Sequence, residues 1–196
     1  MPRINRFTMP PSLMQTIRRH FALSESSDHG PAHWARVAWY ARQLAHALGE
    51  SEQVPVLFAL VHDSCRENEW EDPQHGPRAE ELVLELSDRA DWPLSEPDTR
   101  LLRVACRDHS EGFLRAPVVI QICWDADRLD LGRVGIRPEP ARLCTEPARI
   151  YAQVNQAWTW TWARRPAFPT GCPRNTGQPG DRRGPMELNS SFTNNA

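Results

Sequence analysis

Apolar residues recur along most of the chain at steps of three and four, the spacing of amphipathic α-helices. The first long segment of this kind covers 29–49, with apolar positions at Val37, Tyr40, Ala41, Leu44 and Leu48. Pro31 suits the first turn of this helix, and Gly49 suits the position just after its end. Ser27 or Asp28 would cap its start. We therefore predict a long amphipathic helix here.

The same periodicity predicts five further helices along the chain. They cover 53–65, 78–89, 96–108, 117–131 and 146–164. The stretch "APVVIQICW" would suit a strand by composition, but its length and its continuation into "DADRLDLG" favour a helix. Because no convincing alternating strand pattern occurs elsewhere, the predicted fold class is all-α.

The hydrophobic pattern stops near position 166, where Pro and Gly become frequent. Such a segment cannot bury enough apolar surface to offset the loss of chain entropy on folding. We predict one domain over 1–165 and a disordered C-terminal tail over 166–196. The run "WTWTW" at 158–162 predicts either a clamp for the last helix or a contact between two copies in a homodimer.

Composition excludes several classes of protein. The 196 residues have a formal net charge of −2, which argues against binding to extended nucleic acid. The longest apolar run, "VPVLFALV", is too short to span a bilayer, so no membrane partner is expected. Five widely spaced cysteines without a C-x-x-C motif predict reduced thiols and a cytoplasmic protein.

His62 and Asp63 stand together at the end of the most apolar segment of the chain, in "FALVHDSCREN". His62 extends the inward stripe formed by Val54, Leu57, Phe58 and Val61. A buried imidazole needs partners for its ring nitrogens, and a buried carboxylate needs a hydrogen bond or a cation. The pair is therefore either a hydrogen-bonded helix end or part of a metal site.

Two further residues favour the metal site. His33 lies four residues before Val37, on the inward face of the first long helix. Asp127 lies on the face that carries Ile120, Cys123, Trp124 and Leu131. Three helices thus direct a His or Asp inward, which is how helical bundles build metal sites. Imidazole and carboxylate ligands suit Mn, Fe, Zn and similar divalent ions.

The order H…HD…D, carried by His33, His62, Asp63 and Asp127, resembles the HD-domain superfamily of metal-dependent phosphohydrolases. The segment "HWARVAWYARQLA" resembles the family's first-histidine helix, and "LFALVHDSCRE" resembles its central helix. The segment "DADRLDLG" is similar to the family's "ADRLD". The resemblance covers about 25–150 and implies a single HD-type helical domain.

Members of this family that hold two metal ions have two more histidines between the HD pair and the last aspartate. His75 in "QHGPRAEEL" and His109 in "CRDHSEG" fall at the corresponding places. The resemblance implies that they bind a second ion and that Asp63 bridges the two ions. The alternatives for both histidines are a contact to the substrate or a hydrogen bond to a metal ligand.

The resemblance implies hydrolysis of a phosphate monoester or diester in a small nucleotide-like substrate, by water that the metal activates. The resemblance implies that His62 and Asp63 are the catalytic residues. All 23 basic residues are Arg, so phosphate contacts fall to that side chain. Our candidates are Arg66, Arg78 and Arg128, and the alternative for each is a salt bridge that closes a loop.

Two other activities occur with the same fold or ligand pattern. Some HD-fold enzymes hold two irons and activate oxygen, and some HD modules bind a ligand without turning it over.

Outside the main pattern, His29 either faces the cleft or starts the first long helix. Asp125 and Asp130 either support the site or lie at the surface.

Overall fold

Seven α-helices and two short 3₁₀ turns form residues 7–154, the part of the chain that the computed structural model describes. The helices are α1 (Pro11–His20), α2 (Pro31–Leu48), α3 (Gln53–Val61), α4 (His75–Ser87), α5 (Glu96–Asp108), α6 (Val118–Leu129) and α7 (Glu146–Gln153). The 3₁₀ turns are Leu131–Val134 and Pro140–Arg142. Residues 7–154 contain no strand, which confirms the predicted all-α fold.

Helix α3 lies at the centre of the domain, in contact with α1, α2, α4, α5 and α6. Its residues from Val54 to Val61 are all buried. A helix surrounded by neighbours needs apolar residues on every side. This explains the unbroken run "VPVLFALV". Within residues 7–154, no helix has the length and apolarity needed to cross a membrane.

At the ends of α2, two of the predicted features are present and the predicted N-cap is not. Pro31 is its first residue, and Gly49 follows its end in the left-handed region at a φ of 72°. The predicted cap by Ser27 or Asp28 is wrong, because the N-cap is Gly30 and no side chain caps it. Ser27 instead accepts a hydrogen bond from the His29 main chain and donates one to Glu69.

Helices α3 and α6 end earlier than the apolar pattern predicts, and α4 covers His75–Ser87 rather than 78–89. Helix α3 ends at Val61 rather than near 65, because the Ser64 hydroxyl donates to the Val61 carbonyl at 2.8 Å and competes with the helical hydrogen bond. Helix α6 ends at Leu129 and is followed by the 3₁₀ turn Leu131–Val134. Both turns carry residues that face the candidate site.

The two ends of the described chain differ most from the sequence-based expectation. Helix α1 was not predicted, because Leu13 and Ile17 are its only fully apolar inward positions, yet both are completely buried. Helix α7 is described to Gln153. Its predicted continuation to 164, the run at 158–162 and the tail at 166–196 lie outside the described residues.

Helices α4 and α5 approach each other closely at Gly76. A Cβ atom at this position would lie 2.5 Å from the Arg107 carbonyl oxygen and 3.0 Å from that of Cys106. Only glycine permits this separation without a shift of one helix. The contact brings the start of α4, at His75, against the end of α5, next to His109.

Candidate metal centre

Five helices bring six His and Asp side chains together at one point of the domain. One comes from α2, two from the turn after α3, one from the start of α4, one from the position after α5 and one from the last turn of α6. They are His33, His62, Asp63, His75, His109 and Asp127. The structure therefore brings together all six residues that the sequence suggests as metal ligands.

The first half of this cluster contains His33, His62 and Asp127. The Nε2 atoms of His33 and His62 lie 3.1 Å apart. Asp127 Oδ1 lies 3.3 Å from the Nε2 of His33 and 3.7 Å from that of His62. Asp63 Oδ2 completes the group at 3.5 Å from both nitrogens. Two imidazoles and two carboxylates thus surround one small space.

The second half contains His75 and His109. Their Nε2 atoms are 2.8 Å apart. Asp63 Oδ1 lies 3.6 Å from His75 Nε2 and 3.7 Å from His109 Nε2. Asp63 therefore presents one carboxylate oxygen to each half of the cluster.

Hydrogen bonds to main-chain carbonyls orient three of the four imidazoles. His62, His75 and His109 each use Nδ1 for this bond. The acceptors are the carbonyls of Phe58, Asp72 and Cys106. A carbonyl can only accept, so each Nδ1 carries a hydrogen, and Nε2 of the neutral ring presents a lone pair to the cluster.

The fourth imidazole, His33, is held by a carboxylate. Asp130 is completely buried and accepts hydrogen bonds from His33 Nδ1 and Arg36 Nε, both at 2.7 Å. Such a partner fixes the ring orientation of a metal-binding histidine. His29 similarly donates from Nδ1 to Asp63 Oδ2 at 2.8 Å. His29 therefore faces the cleft, and Asp130 contacts the cluster rather than lying at the surface.

Asp125, in α6, has a different position from Asp130, which directly follows that helix. Its carboxylate accepts hydrogen bonds from the Cys144 and Thr145 main-chain N–H groups at 2.7 and 2.8 Å. It also accepts one from the Thr145 hydroxyl at 2.7 Å. Asp125 therefore fastens the segment before α7 to α6, away from the cluster.

Within each pair of facing histidines, the pKa of one is raised and the pKa of the other is lowered. Burial and the Arg133 charge lower the pKa of His33, but its carboxylate neighbours outweigh them and raise that pKa to about 9. Burial lowers the pKa of His62. Burial and the His109 charge lower the pKa of His75 to about 4. Burial also lowers the pKa of His109, but Asp63 outweighs it and raises that pKa. In each pair of facing histidines, the one with the stronger carboxylate contacts therefore has the raised pKa.

The two carboxylates stay charged despite their burial. Burial raises the pKa of Asp63 and of Asp127, but the surrounding imidazoles outweigh it and hold both values well below the usual range. The Oδ1 atom of each is buried and has no hydrogen-bond partner among the described residues. Unpaired buried acceptors are costly unless a cation lies beside them.

Carboxylate and imidazole acceptors converge here without enough donors to match them. Three groups of ligand atoms each lie within 4.8 Å of one another: His33, His62 and Asp63; His62, His109 and Asp127; and Asp63, His75 and His109. Nitrogen and oxygen ligands of this kind suit a divalent metal ion. The cluster therefore fits the metal that the sequence leads us to expect.

One solved structure similar to this chain is the crystal structure of a predicted HD superfamily hydrolase from an uncultured Thermotogales bacterium. It has 20 % sequence identity, and the likeness covers 81 % of this chain and 91 % of that one, with a TM-score of 0.62. The chain has the fold of the HD superfamily. No family model matches the sequence, and no curated protein matches it. The HD fold that the resemblance implied is confirmed.

A cavity of about 250 Å³ opens onto this cluster of His and Asp side chains. Its walls contain charged, imidazole and small side chains. They are Asp63, Arg66, His75, His109, Ser110, Gly112, Asp127, Arg128, Leu131 and Arg133. Three arginines therefore line the same space as Asp63 and Asp127.

The structure brings two of the three predicted arginines to this cavity. Arg66 Nη1 lies 3.4 Å from His75 Nε2 and 3.7 Å from Asp63 Oδ1. Arg128 lines the wall. Arg78 does not line the cavity and instead donates to the Cys65 carbonyl at 3.0 Å and to Asp72 at 2.6 Å. It closes the loop before α4, which is the alternative that the sequence left open.

Arg133 is the charged cavity residue that sequence reasoning missed. It lies in the 3₁₀ turn after α6, in "LGRVG", where helical periodicity no longer indicates which side chains point inward. The available signal was an arginine between two closely spaced glycines, Gly132 and Gly135, directly after the Asp127 segment. Gly135 has a φ of 78° and turns the chain there.

Proposed function

We propose that this protein is an HD-type phosphohydrolase that uses divalent metal ions to hydrolyse a phosphate monoester or diester in a small nucleotide-like substrate. The observation that carries the proposal is the pair of histidine groups that share Asp63 beside an arginine-lined cavity. The similar structure is described as a predicted HD superfamily hydrolase, which supports the reaction class.

Two ions fit the arrangement of ligands better than one. His33, His62, Asp63 and Asp127 would hold the first ion, and Asp63, His75 and His109 would hold the second. Mn, Fe and Zn all accept this mixture of nitrogen and oxygen ligands. Such ions lower the pKa of bound water and polarise a phosphoryl oxygen.

The side chains of the protein supply orientation, charge and proton transfer. Asp63 fixes the relative position of the two halves, and His62 is held by the Phe58 carbonyl. Asp127 is 14 % exposed and faces the cavity, so it is better placed than the 3 % exposed Asp63 to accept a proton from water. Arg66 presents Nη1 to the same cavity and provides positive charge for the phosphoryl oxygens.

The proposed partner is a small phosphorylated molecule, for which a cavity of about 250 Å³ has room. We expect no membrane and no extended nucleic acid as partner. Four cysteines in the described chain are free thiols, which suits the cytoplasm. A homodimer stays a prediction, since the tryptophan run on which it rests lies outside the described residues.

The proposal is tested by phosphate release from nucleotides, cyclic and dinucleotide diesters and aryl phosphates in the presence of Mn²⁺. Turnover should occur in the wild type, disappear in Asp63→Ala and Asp63→Asn, and persist in Asp88→Asn, which changes an exposed aspartate on the same protein. A folded, metal-loaded protein without turnover would contradict the proposal. Iron-dependent oxygen uptake, or ligand binding without turnover, would then identify which alternative applies.

A further inference from the structure

The Arg133 side chain lies beside the candidate metal centre with part of its hydrogen-bonding capacity unused. Its side chain is 7 % exposed, and Nη1 donates to the Asp130 carbonyl at 3.3 Å. Its Nε is buried without a hydrogen-bond partner among residues 7–154. Its Nη2 lies 3.7 Å from Asp127 Oδ1, which is too long for a hydrogen bond. A buried N–H without an acceptor is costly and points to a ligand.

Arg66 occupies the matching position at the other half of the centre. Its Nη1 lies 3.7 Å from Asp63 Oδ1, the second carboxylate oxygen without a hydrogen-bond partner. Its Nε and Nη2 donate to the carbonyls of Asn68 and Trp70, at 3.3 and 2.8 Å. These bonds hold the guanidinium so that Nη1 faces the cavity. Each free carboxylate oxygen thus has one arginine beside it, at charge-pair distance.

Arg128, the third arginine of the cavity, is already engaged. Its Nη2 donates to the Phe113 carbonyl at 2.9 Å, and its Nη1 donates to the Arg142 carbonyl at 3.2 Å. Its guanidinium also lies 5.8 Å from the ring centre of Trp124. These contacts make Arg128 a fixed part of the wall and leave Arg133 with the more available donors.

We propose that Arg133 binds the phosphoryl oxygens of the substrate, opposite Arg66, and is a substrate-binding residue of this site. The inference rests on the proposed function and extends it to a residue that the HD pattern does not include. A guanidinium offers several N–H donors in one plane and can contact two phosphoryl oxygens at once. Nε and Nη2 of Arg133 are the donors left for this contact.

A purely structural role for Arg133 would be to hold Asp127 in place. The two roles predict opposite effects on metal affinity. Loss of a residue that positions a ligand weakens metal binding. Loss of a positive charge beside the metal site removes electrostatic repulsion and leaves metal binding unchanged or tighter.

The test uses Arg133→Gln and Arg133→Lys, with Arg137→Gln as the control because Arg137 is exposed and lies in the same segment. Calorimetry measures inorganic phosphate binding to the Mn²⁺-saturated protein and, separately, Mn²⁺ binding without phosphate. We expect phosphate affinity to fall at least about tenfold in Arg133→Gln. Arg133→Lys should recover part of it, and Mn²⁺ affinity should stay equal or rise in both variants.

Three results would overturn the inference: wild-type protein that binds no phosphate, unchanged phosphate affinity in Arg133→Gln, or weakened Mn²⁺ binding in Arg133→Gln, which the structural role predicts. The proposed function is judged separately, by wild-type turnover. Turnover together with normal phosphate affinity in Arg133→Gln would keep the function and reject the role of Arg133. Phosphate binding that depends on Arg133, without turnover, would reject hydrolysis and keep the anion site.

Discussion

At the scale of single residues, the centre depends on partners that hold its ligands. Asp130 is the clearest case, because it is completely buried and fixes His33 through Nδ1. We expect Asp130→Asn to weaken Mn²⁺ binding by about 10–100-fold. Asp125→Asn is the control, since Asp125 is a buried aspartate in α6, only five residues earlier, but binds Thr145. Equal Mn²⁺ affinities in wild type and Asp130→Asn, measured by calorimetry, would contradict this role.

Protonation of His33 makes metal binding depend on pH. Its pKa of about 9 means that the imidazole carries a proton at neutral pH, and a metal ion must displace that proton. Mn²⁺ affinity should therefore rise with pH up to about 9, by up to about tenfold per pH unit for one proton released. Calorimetry in buffers with different ionisation enthalpies counts the released protons. An affinity that is constant between pH 6 and 8 would disagree with this linkage.

At the scale of helices, the close contact between α4 and α5 positions the second half of the centre. Gly76→Ala would place a Cβ against the Arg107 carbonyl and force the helices apart. We expect a loss of about 1–3 kcal/mol in the free energy of unfolding and a selective weakening of the second metal ion. Thermal unfolding and Mn²⁺ titration measure both effects. Glu81→Ala, at an exposed α4 position, should change neither; equal effects in both variants would refute the claim.

Some helix features were predictable from the sequence and others were not. The bounds of α5 and the inward face of α2 follow from periodicity and capping residues. The early end of α3 depends on the bond from Ser64 to the Val61 carbonyl, which periodicity does not report. Arg133 was missed for a related reason, because its direction is decided by a 3₁₀ turn and not by a helix face.

At the scale of the whole molecule, the centre joins five helices that are distant in sequence. The candidate residues in the order H…HD…H…H…D could be predicted, because His33, His62 and Asp127 follow inward helix faces and the resemblance to the HD superfamily implied His75 and His109. The supporting bonds of His29 and Asp130 could not, since they link positions 34 and 97 residues apart. Only the packed domain brings these groups into contact.

A metal ion that binds several helices should stabilise the folded domain. Because the ligands come together only in the folded state, binding adds to the free energy of unfolding by mass action, by about 2.7 kcal/mol at 100 times the dissociation constant. The melting temperature should rise with added Mn²⁺ and return to its metal-free value with a chelator. The same rise in Asp63→Asn would show that the ion binds elsewhere.

We propose that six His and Asp side chains form one centre for two metal ions, with Asp63 as a ligand of both. Electron paramagnetic resonance during Mn²⁺ titration tests it most directly, because it reports both the number of bound ions and their magnetic coupling. We predict two coupled ions in the wild type, one uncoupled ion in His75→Ala and no tightly bound ion in Asp63→Ala. A wild-type protein that binds no Mn²⁺, or two ions that remain in Asp63→Ala, would contradict the account.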